Sequence, residues 1–197
     1  MPNVEALKQA VIRLCPDITD ADFEVFIPAV KLLSLQKEDY FYRPNEVHKY
    51  IGFVNSGLVR CFYIDEKGDE KNTRFVFAHD YAVDYTSFLE QKGTPSAIKA
   101  LEPTELILIP HAVFYGAVQQ SRNWERFGRM IAEEIFQRTQ RRLESLVQKS
   151  PEQRYLDLLN DRPDIIHRIT LYHLASYLGI ERESLSRIRN RMAKRRM

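Results

Sequence analysis

Cysteine and glycine are both scarce in this chain of 197 residues. Cys15 and Cys61 stand far apart, with no partners at metal-ligand spacing. That excludes a disulfide framework, a structural zinc site and a four-cysteine iron–sulfur cluster. Cys61 lies in an apolar strand-like run and reads as a small buried side chain. With only seven glycines, the chain shows no phosphate-cradling loop. His48, His79 and His111 fall about thirty residues apart without a His-x-His pair, so a cupin-type metal site is not expected. These three, like His167 and His173 beyond them, read as surface or satisfied core histidines. No nucleophile has a base at recognisable spacing. The chain is therefore read as a non-enzyme, with no metal and no cofactor. No apolar run approaches the ~18 residues of a membrane span, and no signal-peptide pattern is visible. A cytoplasmic protein without a membrane partner is the expectation.

What is present is unevenly distributed. Hydrophobic content of 44% and charged content of 28% are ordinary for a globular protein. The net charge of +2 hides an asymmetry: residues 182–197 hold seven of the 29 Lys and Arg against one acid, Glu183. A mildly acidic body with a basic C-terminal segment is the electrostatic footprint of a polyanion binder, although composition alone also fits a solvated basic tail.

Taken in order, residues 3–14 carry Val4, Leu7, Val11 and Leu14 at helical spacing, ended by Pro16. A second short helix starts near Thr19. From Leu32 to Pro110 the texture is short β-type runs separated by turn residues. The candidate strands are Ser34–Tyr42, Tyr50–Ser56, Leu58–Ile64, Lys71–Phe77, Tyr81–Ala82, Ala97–Ala100 and Thr104–Ile109. Strands at about ten-residue spacing indicate an antiparallel jelly-roll or barrel, which Phe53, Phe62, Phe75 and Phe77 would fill. The polar loop Asp65–Asp69 reads as an exposed hairpin tip. Beyond Val113 the period lengthens to that of helix, with Trp124, Phe127, Ile131, Ile135, Arg138, Arg142 and Leu146 recurring every three or four residues. A helix of about 28 residues from Asn123 to Ser150 would reach roughly 40 Å at ~1.5 Å per residue. Such a seam, with Trp124, Phe127, Ile131 and Ile135 as its apolar members, buries itself against a symmetry mate or along its own barrel; the first reading is preferred.

The most informative stretch is 169–191. Leu171, Leu174, Ala175 and Leu178 make one apolar helix face, and Gly179 supplies the left-handed residue at which the helix stops. A second helix turns Leu185, Ile188 and Met192 inward and shows Arg182, Glu183, Ser184, Ser186, Arg187, Asn190 and Arg191 outward. Two helices joined by a short glycine turn form a helix-turn-helix, whose second helix enters the major groove of DNA. Arginine can pair bidentately with guanine, glutamate can accept from cytosine, and serine can reach phosphate or base. A plain amphipathic hairpin with a solvated charged face is the alternative.

The order jelly-roll, long helix, helix-turn-helix resembles the Crp/Fnr family of bacterial transcription regulators over essentially the whole chain. The run Leu174-Ala175-Ser176-Tyr177-Leu178-Gly179-Ile180 followed by Arg182-Glu183-Ser184-Leu185-Ser186-Arg187 is similar to the family's recognition-helix signature. The resemblance implies an α+β fold with an N-terminal effector-sensing β jelly-roll over residues 1–112 and a long dimerisation helix over 113–149. A winged-helix-like but truncated DNA-binding unit would occupy 150–197. It implies base contacts from Arg182, Glu183 and Arg187, with Ser184, Ser186 and Arg191 on the same face and Lys194, Arg195 and Arg196 at phosphates. The partners implied are double-stranded DNA with a roughly palindromic operator, a second copy of the chain, an unidentified small-molecule effector and RNA polymerase. Residues 80–97 match the region where the family cradles a cyclic nucleotide, which puts Asp84, Tyr85, Thr86, Ser87, Pro95, Ser96 and Ala97 at the effector pocket. There the pattern departs. The family's glycine–glutamate pair is replaced by Asp84-Tyr85-Thr86, and its arginine–serine pair by Pro95-Ser96. Without that arginine a buried phosphate lacks its bidentate partner, so cyclic AMP is not expected to bind. This variant is similar to the shortened regulators of the Bacteroidetes group. A ligand sensor whose output is not DNA binding is the competing reading.

Overall fold

The computed structural model describes residues 4–195, and for Val25, Lys194 and Arg195 the backbone alone. Both expected N-terminal helices are present as α1 (Glu5–Leu14) and α2 (Asp20–Phe26), the latter followed by a single 3₁₀ turn, Ile27–Ala29. The described residues then form eight strands: β1 Lys31–Leu35, β2 Tyr40–Tyr42, β3 Tyr50–Ser56, β4 Leu58–Ile64, β5 Glu70–Phe77, β6 Tyr81–Ala82, β7 Ser96–Ala100 and β8 Thr104–Pro110. Helix α3 (Tyr85–Glu90) interrupts them between β6 and β7. The strands make two four-stranded antiparallel sheets, ordered β1-β8-β3-β6 and β2-β7-β4-β5.

Ser34–Tyr42, expected as one strand, is divided between the two sheets. Glu38 adopts a left-handed φ of 72°, and the Asp39 carboxylate accepts the Gln36 N–H at 2.8 Å. This turn hands the chain from β1, paired with β8, to β2, paired with β7. The hairpin tip at Asp65–Asp69 forms as expected: Asp65 Oδ1 accepts from the Lys67 and Asp69 N–H groups, and Gly68 takes the left-handed position.

The interior between the sheets holds medium-sized side chains, among them Val54, Val59, Cys61, Val76, Ile98 and Leu106. Cys61 is buried there, and its thiol is pushed up to about 11 by that burial. The four phenylalanines assigned to this space lie elsewhere. Alternation along a strand sends neighbours to opposite faces, so Phe53 packs outward under α1 and α2 while Phe75 and Phe77 pack outward under the C-terminal helices. Phe62 shares the outward parity of Leu58 and Arg60, whose guanidinium lies 3.9 Å from its ring. Each sheet therefore buries apolar side chains on both faces, with Arg60 and Asn72 buried among them on the outer face of the second.

Past the strands come α4 (His111–Gln120) and α5 (Arg122–Gln148), separated by Ser121, whose hydroxyl caps α5. The helix of about 28 residues expected over Asn123–Ser150 is α5, and the stretch 113–149 assigned to the long helix also takes in most of α4. Helices α6 (Pro151–Asp161), α7 (Ile165–Arg168), α8 (Leu171–Leu178) and α9 (Arg182–Arg195) complete the described chain. Among the described residues no strand follows Pro110, so none of them forms a wing beside α9.

Candidate nucleic-acid interface and effector pocket

Helices α8 and α9 meet as their sequence requires. Thr170 caps α8 by accepting the His173 N–H at 3.3 Å. At the other end Gly179 sits at φ 68°, with Ile180 N–H donating to the Ala175 carbonyl and Gly179 N–H to that of Ser176. That pair of bonds is a Schellman motif, which satisfies carbonyls the helix would otherwise leave open. Leu174, Ala175, Leu178, Leu185 and Ile188 are buried together with Tyr155, Ile165 and Ile169. Once that face is spent inward, Arg182, Glu183, Ser186, Arg187, Asn190 and Arg191 are left exposed on α9. Ser184 is half-buried and accepts from the Arg187 guanidinium at 3.1 Å. Arg191 reaches back to Glu152 of α6 at 3.3 Å, so it also ties α9 to its support. The side chains of Lys194 and Arg195, and all of Arg196, lie outside the described residues.

This unit is seated on the jelly-roll. The Ser176 hydroxyl donates to the Glu70 carbonyl at 2.8 Å and accepts the Asn72 N–H at 2.9 Å, pairing backbone groups of the edge strand β5. Phe75 meets Tyr177 at 5.1 Å, and Arg168 joins Glu102 and the Gly57 carbonyl. Sequence reasoning missed this contact; the available signal was the apolar outward face of β5, carrying Phe75 and Phe77.

Helix α5 corrects the expected pairing seam. Trp124, Phe127 and Ile131 are buried in the chain's own core, and half-buried Ile135 packs against it. Trp124 stacks on Phe26 at 4.4 Å and donates its indole N–H to the Asp22 carbonyl at 3.1 Å. Further along, Arg138 bonds to Asp80 and Glu134, and the Arg142 guanidinium lies 4.0 Å from the Tyr177 ring. From Trp124 to Arg142 the seam packs within the chain, the less favoured of the two readings, while Leu146 at its end is 41% exposed. A different stripe is left open: Phe136, Leu143 and Val147 are 65%, 55% and 75% exposed. At ~100° per residue their face is about a third of a turn from the buried one.

Of the expected effector-pocket residues, some converge and others part. Asp84 accepts from the Ser87 N–H at 3.1 Å and the Thr94 hydroxyl at 3.1 Å, while the buried Ser87 hydroxyl donates to the Lys92 carbonyl. Buried Ser96 and Ala97 lie on β7, whereas Thr86 and Pro95 are exposed. Tyr85 leaves the group and packs against the core beneath α4 and α5. A residue overlooked from sequence completes the corner: buried His48 accepts the Asp84 N–H on Nδ1 at 3.0 Å and stacks on Tyr42 at 3.8 Å. Its Nε2 is buried with no hydrogen-bond partner among the described residues, so it is not the satisfied core histidine expected.

Burial holds the His48 imidazole down at about 4, against its usual 6.5. The unfolded chain therefore takes up a proton that the folded chain refuses. Stability should be full above about pH 6.5 and fall as pH drops towards 4, by up to ~1.4 kcal/mol per pH unit. His173 and His111 are also lowered by burial and add to the same slope. Asp22, held at about 2 by hydrogen bonds led by that from the Thr19 N–H, loses its contribution only below the usual carboxylate range. Urea titrations at pH 7, 5.5 and 4.5 should show a shallower loss for His48→Gln than for the wild type. Equal slopes would show that His48 is not the group responsible.

With this geometry in hand, comparison with known proteins is informative. Residues 32–121 match the family model of the cyclic nucleotide-binding domain. Curated proteins give no match to the sequence. Among solved structures, FixK2 from Bradyrhizobium japonicum is 18% identical, with a TM-score of 0.74 over 85% of this chain and 86% of its own. A protein from Eubacterium rectale described as a regulator of the Crp/Fnr family is 19% identical, with a TM-score of 0.69 over 90% and 85%. The catabolite activator protein of Thermus thermophilus is 17% identical, with a TM-score of 0.58 over 92% and 87%. At these identities the likeness shows a shared fold. Among the described residues no helix is long and apolar enough to cross a membrane.

Proposed function

For a chain that carries a cyclic nucleotide-binding domain and has the fold of Crp/Fnr-family regulators, we propose the function of a dimeric, sequence-specific DNA-binding transcriptional regulator. The observation that carries this reading is the polar face of α9. Arg182, Glu183, Ser186 and Arg187 are all exposed on a helix whose other face is locked into a core shared with the jelly-roll. A rigid helix presenting such donors and acceptors suits direct readout in the major groove. In this division of labour residues 1–112 sense, 113–149 pair two copies, and 150–197 read DNA in the cytoplasm. The pairing surface is the uncovered stripe Phe136, Leu143 and Val147, and two α9 helices about one helical turn of DNA apart read a roughly palindromic site. The signal is not cyclic AMP, because the pocket corner offers the Asp84 carboxylate and no arginine at the position of Pro95.

The test is a binding titration against the operator and its single-base variants. Arg182→Ala or Arg187→Ala should each cost ~1–3 kcal/mol and relax specificity at one base pair. Replacing Lys194, Arg195 and Arg196 together should instead weaken binding on every sequence and flatten its salt dependence. If neither set changes affinity, α9 does not dock in the groove.

A further inference from the structure

A crevice unrelated to the nucleotide corner lies where the sheet β1-β8-β3-β6 meets α4 and α5. Its walls are mainly apolar, with Ile51 and Ile109 from the strands, Phe114 from α4, and Phe127 and Ile131 from α5, all buried. Tyr81 of β6 lines it too, and its hydroxyl is buried with no hydrogen-bond partner among the described residues. An unmade hydrogen bond of this kind is destabilising and calls for a reason. Burial and the nearby Asp80 and Glu134 charges push the phenol far up, so it remains a donor.

The charged groups at the crevice are already matched. Arg74 and Arg138 both pair with Asp80, and Arg138 also with Glu134. An ionic guest would have to break one of these pairs, whereas a neutral guest need not. The free cavity is about 30 Å³, well below the ~150 Å³ that admits benzene. Entry therefore requires half-buried Tyr85 and Ile135, which also line it, to move aside.

We propose that this crevice is a ligand site for a small, neutral, mostly apolar molecule with one hydrogen-bond acceptor, which the Tyr81 hydroxyl donates to. The site lies between the sensing jelly-roll and α5, so an occupant that displaces Ile135 moves the helix carrying the exposed pairing stripe. That regulatory output rests on the function proposed above; the binding itself does not.

The test uses fluorine NMR on the full chain with two probes that differ by one hydroxyl, 4-fluorophenol and fluorobenzene, the second lacking the oxygen acceptor. Saturable binding of 4-fluorophenol is expected, about ten-fold tighter than fluorobenzene, the worth of one buried hydrogen bond. In Tyr81→Phe the ten-fold preference should vanish while the melting temperature stays level or rises, since the variant removes an unpartnered hydroxyl. Ile135→Trp, which fills the mouth, should abolish binding of both. Cyclic AMP should not compete. The proposal is overturned by no saturable binding below 10 mM, by a preference that survives Tyr81→Phe, or by competition from cyclic AMP. An operator titration run alongside keeps this outcome separate from the DNA-binding reading: loss of one leaves the other standing.

Discussion

The double substitution Leu143→Glu plus Val147→Glu is expected to give a folded monomer with operator affinity reduced by a factor of ~10²–10⁴, the range lost when two linked binding events become one. Both side chains are more than half exposed in the isolated chain, so glutamate at either position disturbs no packing the chain makes by itself. Across a two-fold axis the same substitutions would set carboxylates against one another on what had been an apolar seam. The melting temperature should stay within a few degrees of wild type, which separates loss of pairing from loss of fold. Sedimentation velocity reads the mass, and fluorescence anisotropy with a full and a half operator reads the affinity. A variant that sediments as a dimer would remove this stripe from the pairing surface. A monomer that still binds the full operator at wild-type strength would remove dimerisation from the DNA-binding reading.

The largest effect on stability belongs to Trp124→Ala. The indole is 2% exposed, stacks on Phe26, meets Phe23 and Phe127 edge-on, and donates to the Asp22 carbonyl. Removing it opens a cavity where α2, α4 and α5 converge and orphans that carbonyl. A loss of ~3–5 kcal/mol is expected, a large share of the ~5–15 kcal/mol that holds a typical domain. Trp124→Phe should lose less, because one ring of the stack survives while the hydrogen bond and part of the buried indole volume go. Urea denaturation measures both. Dimerisation, determined separately at wild-type folding conditions, should be unchanged in Trp124→Phe, since this side chain faces the chain's own core. A loss below about 1 kcal/mol in the alanine variant would contradict the packing described.

These two predictions concern one helix, and they show where sequence reading stops. The period of three and four along α5 correctly grouped Trp124, Phe127, Ile131, Arg138 and Arg142 on a single face. It could not say what covers that face, because a periodic pattern reports shared direction and nothing about the partner. Phe136, Leu143 and Val147 give a weaker signal in sequence because they are interspersed with Gln137, Gln140, Arg141 and Glu144 and make a thinner stripe. The strands behaved in the same way. Tyr50–Ser56 and Leu58–Ile64 have the bounds their turn residues imply, yet Phe53, Phe75 and Phe77 point away from the space between the sheets. When both faces of a sheet are covered, alternation no longer marks the inside.

The helix-turn-helix was legible almost entirely, because its determinants are local. Gly179 in the left-handed conformation, the Thr170 cap and the inward set Leu174, Ala175, Leu178, Leu185 and Ile188 are each set by neighbours within a few residues. The corner expected to hold an effector was half legible. Asp84 meets Ser87 and Thr94, and Thr94 in turn Ser96, but Tyr85 turns to the other side of α3, and His48 enters from 36 positions away. The sequence by itself determined the order of elements, the turn chemistry and the polar face of α9, since backbone preference and periodicity act over one or two turns of chain. Tertiary structure alone decided which apolar faces are spent inside the molecule and which stay exposed, and which donors, such as the Tyr81 hydroxyl, find no acceptor among the described residues. Those outcomes depend on surfaces brought together across a hundred residues, where burial and hydrogen bonding are settled by whatever arrives opposite.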